Sequence, residues 1–377
     1  MASGLFTVIL VSPIPPPAGG IATWTQNLLS FWQEKNEHEP DVTLLHVSNA
    51  RRFGNITNRN SLVRVVTGIL NGLFFLSNFI FTIGSGRRRQ LVHLTTSGSF
   101  GFLRDLLVTF LARLSGSKII LHLRFGRVPE LMQNRNWEYL LLNLLLKRSY
   151  KVISIDTQTF EVLRRAYGEK IVYLPNAVSP LFTAACKEHF LKNTEVFKTP
   201  TILFVGHVVK SKGIFDLIRV AGEIGHVNLR IAGISKSSEL VTIAELQSCY
   251  PTLQIDILGN LPPEGLIIEL QSCTVFCLPS YTEGFPNAVL EAMAVGAPIV
   301  ASDVGEIAEM VKVNNQTAAW LFRPGDLEGL KMQLDSALTD PAERIRKSRL
   351  CIQKVNSTYT RETVFNKLLQ IWKTANQ

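Results

Sequence analysis

Short apolar runs recur along the chain, each followed by a turn of glycine, proline or small polar residues and then by helical periodicity. Phe6–Val11, Val42–Val47, Leu91–Leu94, Ile119–Leu123, Val152–Ile155 and Ile171–Leu174 read as strands, because short apolar runs bounded by turn residues suit a buried sheet. Helices are expected over Ile21–Glu34, Gly101–Leu114 and Trp137–Tyr150, and from Asp156-Thr157 onward. The pattern restarts with strands at Thr201–Val205, Leu229–Ala232, Leu253–Leu258, Val275–Leu278, Ile299–Ala301 and Ala319–Phe322. Helices follow from Ile214, around Glu239–Cys249 and, behind an Asp326 cap, from Leu327. A last helix near Thr360–Ala375 puts Val364, Leu368, Leu369 and Trp372 on one face. Strand and helix alternating twice over predicts an α/β protein of two Rossmann-like domains. The first is expected at 1–180 and the second at 200–359, with the polar stretch Ser179–Pro200 as the linker.

Composition supports two cores: 377 residues with 46% apolar content are ample. The five cysteines are odd in number and lack metal-ligand spacing, so they read as thiols in a reducing compartment. Charge is lopsided. Residues 1–180 hold 20 Lys and Arg against 10 Asp and Glu, whereas the remainder holds 19 against 20. The basic half suits nucleic acid or an anionic membrane surface. No nucleic-acid-binding motif is present, so the membrane is favoured and nucleic acid is not expected as a partner. Met1–Val11 has no basic leader region and reads as a first strand, so no signal peptide and a cytoplasmic location are expected. The glycosylation-like triplets at Asn55, Asn315 and Asn356 then carry no weight.

Val65–Gly84 is uncharged and long enough to span a bilayer, and is flanked by Arg64 and Arg87–Arg89. It also contains three glycines and several polar residues, and a strand follows at once. A buried or membrane-surface helix is the preferred reading.

The chemistry concentrates in Ser280–Val311. Glu283 and Glu291 stand on either side of a turn, Gly284-Phe285-Pro286-Asn287, that feeds a short helix ended by Gly296. Free amides at the helix start, between two carboxylates, suit a polyhydroxyl ligand, since ionised carboxylates accept what sugar hydroxyls donate. Two isolated glutamates at a helix start are ordinarily a solvated face; the whole string is more specific. Elsewhere, Ser12–Gly20 is a glycine-bearing loop between strand and helix, though not G-x-G-x-x-G. Gly206–Gly213 is a second such loop, where Lys212 suits phosphate at a helix N-terminus. His122 ends a strand, where a packed core histidine is the ordinary alternative to a ligand. Arg124 and Arg127 behind it suit an anionic acceptor or a lipid phosphate.

The string E-G-F-P-N-x-x-L-E-A-M-A-x-G-x-P-I-V-A-S-D-V-G resembles the E-x7-E donor site of family 4 retaining glycosyltransferases. The resemblance is specific over the second half of the chain and holds in outline over the first. It implies a GT-B fold, two Rossmann-like domains facing across a cleft, with the final helix (360–377) packing back on the first domain. It implies that Glu283, Gly284, Phe285, Pro286 and Asn287 hold the donor sugar and Glu291 the ribose. Lys212 and His207 would meet the diphosphate, Gly20 would lie at the donor phosphates, and His122 near the sugar. Glu283, His122 and Lys212 are the catalytic candidates. The family pattern has Arg where His207 stands, so Lys210 is a substitute there, and Ala177 replaces the glycine of P-N-G-V.

The expected activity is retaining transfer of a sugar from a nucleotide-sugar donor to a saccharide or lipid-linked acceptor, in surface polysaccharide or glycolipid synthesis. No cofactor is expected, and no metal for the chemistry, since no D-x-D-like motif precedes a catalytic position. Peripheral attachment to the inner face of the membrane is a separate expectation. Two rivals share parts of this reading. A GT-B sugar-nucleotide epimerase would need acid/base carboxylates in the first half, where Asp105, Glu130 and Asp156 are the candidates. A non-catalytic membrane-associated sugar-nucleotide-binding protein would have no need of the glutamate pair or of Lys212.

Overall fold

The computed structural model describes residues 6–15, 19–36, 39, 41–48, 61–84, 89–186 and 199–377, without the side chains of 61–69. Arg87, Arg88 and the middle of the Ser12–Gly20 loop lie outside these residues. The chain divides into two units, Met1–Ala177 with Arg361–Gln377, and Val178–Thr360.

In the first unit the chain runs β1 (Phe6–Val11), α1 (Gly20–Lys35), β2 (Val42–Val47), α2 (Ser61–Gly84), β3 (Gln90–Thr96) and α3 (Gly101–Leu114). It continues through β4 (Lys118–Leu123), α4 (Val128–Asn134), α5 (Trp137–Arg148), β5 (Lys151–Ser154), α6 (Thr157–Tyr167) and β6 (Ile171–Tyr173). The six strands form one sheet in the order β2-β1-β3-β4-β5-β6, every neighbouring pair parallel. Parallel strands need crossover helices, which cover both faces and explain the nearly continuous apolar runs.

The two-residue period of a strand divides the core between those faces. Ile9, Val11, Val92, Leu94, Ile119 and Leu121 pack with α2, α3 and α5 on one side. Val8, Leu10, Leu91, Ile120 and Ile153 pack on the other with Trp24, Leu28 and Phe31 of α1. The C-terminal helix (Arg361–Asn376) completes this second layer with Val364, Phe365, Leu368 and Trp372. At about 1.5–3 kcal/mol for each fully buried large side chain, that helix is a structural part of the first unit.

The second unit opens with α7 (Pro180–Ala185), followed by β7 (Thr201–Val205), α8 (Ile214–Ile224), β8 (Asn228–Ala232), α9 (Ser237–Ser248) and β9 (Gln254–Gly259). Then come α10 (Pro263–Ser272), β10 (Val275–Leu278), α11 (Asn287–Val295) and β11 (Ile299–Ser302). The short helix α12 (Ile307–Met310) precedes a small hairpin of β12 (Lys312–Val313) and β13 (Gln316–Thr317). The unit closes with β14 (Trp320–Phe322), α13 (Leu327–Thr339) and α14 (Pro341–Lys354). Its six-stranded sheet has the order β14-β11-β10-β7-β8-β9, again parallel throughout. The strand order reverses between β7 and β10, the switch point at which open α/β sheets place ligands.

One expectation changes. Ser179–Pro200 is not linker throughout: Pro180 starts α7, and Gln271 Nε2 donates to Ala185 O at 2.6 Å, holding that helix to α10. Residues 187–198 of that stretch lie outside the described ones. The span candidate forms α2, which turns Phe75, Phe79 and Ile83 into the core of the first unit. Among the described residues, no helix is long and apolar enough to cross a membrane.

Candidate active site

The loops that follow β7 and β10 meet at the switch point of the second unit, and two glycines let them do so. Gly213, in the left-handed region at φ 70°, caps α8, and a Cβ there would overlap the carbonyl of Pro279. Gly305, at φ 58°, lies so close to the Glu283 and Gly284 carbonyls that it too has no room for a side chain. Tyr281 N donates to Ser211 O at 2.9 Å, and Glu306 N to Gly284 O at 2.9 Å, so backbone bonds close the same contacts.

These contacts bring together the two principal candidates. Lys212 Nζ lies 2.5 Å from Glu283 Oε1, and Ser280 Oγ donates to the same oxygen at 2.7 Å. Glu283 is largely buried, with 9% of its side chain exposed, against 26% for Lys212. A carboxylate held by an ammonium and a hydroxyl is fixed in rotamer. Glu283 precedes α11, which begins at Asn287 behind Pro286 with no side-chain cap. The first amides of that helix therefore face away from intrahelical partners, with the dipole behind them. The Phe285 ring packs edge-on to Tyr359, 5.7 Å between centroids, which anchors the turn from behind. Gly296, left-handed at φ 79°, ends the helix.

Glu291 lies further along α11, and burial pushes its carboxyl up to about 7. His207 and Lys210 stand exposed on the loop after β7. Among the described residues, no group of three or more His, Cys, Asp or Glu gathers as a metal-ligand set.

The other candidates lie in the first unit. Gly19 and Gly20 are exposed at the start of α1, which has neither a side-chain cap nor an acidic residue in its first turn. Below it, Ser12 Oγ and Thr25 Oγ1 are 2.5 Å apart, and Thr95 donates to Ser12 at 2.9 Å, pinning the root of the loop.

His122 is fully buried on β4. Its Nδ1 lies 3.1 Å from His93 Nε2, and Trp372 Nε1 of the C-terminal helix donates to His93 Nδ1 at 2.9 Å. The Trp24 ring stands edge-on to His122 at 5.0 Å, and the Arg124 guanidinium lies over Trp24 at 4.7 Å. Burial lowers the His93 pKa to about 3 and carries His122 well below its ordinary value, with Arg124 adding to both shifts.

The arginines of this segment are less available than expected. Arg124 is buried, which lowers its pKa to about 9, and Arg127 bonds Glu138 at 3.3 Å and Ser99 at 3.0 Å. Sequence reasoning missed Ser280, His93, Trp24 and Trp372. Ser280 was visible within the same string as Glu283. The other three meet only through strand register and the return of the last helix.

Residues 187–352 match the family model described as glycosyl transferases group 1. A glycogen synthase of Mycobacterium tuberculosis is 29% identical over 180 residues, covering 47% of this chain and 43% of that protein. The chain thus spans less than half the length of that curated relative. Among solved structures, sucrose-phosphate synthase of Thermosynechococcus elongatus matches with a TM-score of 0.75 at 19% identity, over 98% of both chains. Anabaena HepE, solved in complex with UDP and glucose, matches with a TM-score of 0.68 at 15% identity, over 98% of this chain and all of that one. The chain has the GT-B fold, and its residues 187–352 match the glycosyl transferases group 1 family model.

Proposed function

We propose that this protein is a retaining glycosyltransferase of family 4 that takes a nucleotide-sugar donor on its second unit. The observation that carries the reading is the Lys212–Glu283 pair at the β7/β10 switch point, inside the segment that matches the glycosyltransferase family. Lys212 has three donors, so it can keep Glu283 and still meet a phosphate oxygen. Glu283 and the backbone N–H groups of Gly284, Phe285 and Asn287, in the turn shaped by Pro286, would hold the sugar hydroxyls, and Glu291 the ribose. His207 and Lys210 would add positive charge at the diphosphate. The His122 side chain, fully buried beside His93 and Trp24, has no exposed atom to meet the sugar.

In the transfer step the bond from the anomeric carbon to the diphosphate oxygen breaks, and the acceptor hydroxyl oxygen bonds that carbon from the same face. The hydroxyl proton passes to the departing phosphate, which leaves as nucleoside diphosphate. Lys212 would stabilise the charge that grows on the leaving group, electrostatic catalysis that requires no metal. The similarity to HepE supports UDP as the first nucleotide to test, and the match to glycogen synthase supports a saccharide acceptor. A lipid-linked acceptor and cytoplasmic action belong to the same proposal, whereas attachment at the membrane's inner face stands apart from it.

The epimerase reading loses two of its three candidates, since Asp105 is buried against Arg104 and Asp156 caps α6, and keeps only Glu130, exposed in the first turn of α4. Titration with UDP, GDP, ADP and their sugars, read by melting temperature, tests the function, because a ligand of the native state raises it by mass action. One nucleotide class should shift the wild type and not Glu291→Ala, with and without EDTA. Failure of every nucleotide would sink the reading. The anomeric configuration of the product, followed by NMR, decides retention.

A further inference from the structure

Helices α2, α3 and α5 cover one face of the first unit's sheet, and each buries only one of its stripes. In α3, Phe102, Val108 and Ala112 point inward, whereas Leu103, Leu107, Phe110 and Leu114 form an outward row at i, i+4, i+7 and i+11. Phe110 is 58% and Leu114 70% exposed. In α5, Leu142, Leu145 and Leu146 are buried while Trp137, Leu140 and Leu144 are exposed. In α2, Phe75, Phe79 and Ile83 go into the core while Leu73, Ile80 and Phe81 face out, Phe81 at 76%. α2 packs beside α3 and α3 beside α5, and the Phe100 and Trp137 rings, 5.4 Å apart, join the last two stripes. More than half of the exposed large hydrophobic residues among the described ones lie on these helices or at Phe100, so this is one patch and not a scatter.

Charge sorts around the patch. Arg113 ends α3, Lys147 and Arg148 end α5, and all three are exposed. Arg113 Nη1 donates to Arg148 O at 3.2 Å, which gathers them at one end of the patch. The two carboxylates that these three helices carry are both bound to arginines: Asp105 to Arg104, and Glu138 to Arg127. The face therefore presents apolar area and positive charge.

We infer that the α2–α3–α5 face docks on an anionic lipid bilayer. Leu103, Phe110 and Phe81 would enter the acyl boundary, and Arg113, Lys147 and Arg148 would meet lipid phosphates. Trp137 suits the headgroup level, where one side of a ring is wet. A second copy of the chain fits less well, because it would bring the same cations to the face with no free carboxylate to meet them. The inference stands on the first unit alone and does not need the donor reading.

The test is flotation of the full chain with phosphatidylcholine vesicles, with and without phosphatidylglycerol, at low and high salt. The wild type should float with the anionic vesicles and less so at high salt. Phe81→Ser with Phe110→Ser should lower partitioning by roughly tenfold or more at either salt, since apolar burial sets that part of the affinity. Arg113→Ser with Arg148→Ser should remove the preference for anionic lipid. Leu103→Ser with Leu140→Ser gives an independent apolar variant if the first pair fails to fold, as judged by circular dichroism. A folded wild type that stays unbound to anionic vesicles at low salt overturns the inference, as do apolar variants that bind like wild type. A dimer in sedimentation, lost in the apolar variants and accompanied by no vesicle binding, would give the face to a second copy instead. Nucleotide-induced melting shifts should survive every one of these substitutions, so the two proposals fail separately.

Discussion

His93 Nε2 and His122 Nδ1 lie 3.1 Å apart in an arrangement that one pair of neutral tautomers satisfies. The indole of Trp372 is a donor only, so His93 Nδ1 accepts from it and the His93 proton sits on Nε2. His122 Nδ1 must then accept, which leaves its own proton on Nε2. Burial keeps both rings neutral, so no second proton disturbs the sequence. Arg124 Nη1, 3.5 Å from His122 Nε2, is also a donor, and this contact is no hydrogen bond. Trp372→Phe removes the donor that sets the order. Imidazole nitrogen shifts should report one tautomer for both histidines in the wild type and a mixture in the variant. The orphaned His93 Nδ1 should cost about 1–3 kcal/mol of stability.

Lys212→Ala should lower kcat by about 10²- to 10³-fold, the loss typical of removing a group that stabilises developing charge. Glu283 keeps its bond from Ser280 in that variant, so the donor sugar should still bind, more weakly. Glu283→Gln keeps the shape and loses the charge. An equal fall of kcat and kcat/KM there would assign Glu283 to the transition state, and a rise in KM alone would assign it to binding.

Glu291 couples pH to both folding and binding. Its folded pKa of about 7 lies above the ordinary carboxylate value of about 4.5. Between those values the folded chain holds a proton that the unfolded chain has released. Stability should therefore fall as pH rises through this window and level off above it. If the ionised carboxylate holds the ribose, nucleotide affinity should strengthen over the upper part of the same window. Glu291→Gln should flatten both profiles, read by melting temperature and by calorimetric titration.

Gly213→Ala and Gly305→Ala test the backbone contacts that bring the two loops together. Each puts a side chain at positive φ against a backbone carbonyl, and each should cost at least about 1–3 kcal/mol. Donor binding should weaken more in these variants than in Gly116→Ala. Gly116 is also at positive φ, but a Cβ there would meet nothing.

Most elements were legible because both sheets are parallel and buried, which makes each strand a continuous apolar run. β1 and β2 fall on the residues expected, and α3 spans the full Gly101–Leu114. The Ser280–Val311 string, proposed as the donor site, stands out for another reason: its glycines, proline and glutamates are all local to one strand–turn–helix. What depends on distant residues was not. The chain Trp372–His93–His122 joins a terminal helix to two strands, and no local spacing announces it. α7 was hidden within a polar stretch because only Leu181 and Phe182 give it an apolar face, and a burial partner, α10, makes the helix. The outward stripes of α2, α3 and α5 read as core in the sequence, because apolar periodicity says which residues are alike and not which are covered.

The return of the last helix to the first unit orders events during synthesis. Residues 178–360 form one uninterrupted stretch, so the second unit can close as soon as it has emerged. The first unit cannot, because Trp24, Leu28 and Phe31 wait for Val364, Phe365, Leu368 and Trp372 at the other end of the chain. Until those residues are made, the earliest part of the protein carries an uncovered apolar layer. A chain released at residue 360 would have a complete second unit and an unfinished first one. A stop codon there would yield a chain whose weakness lies near its opposite end.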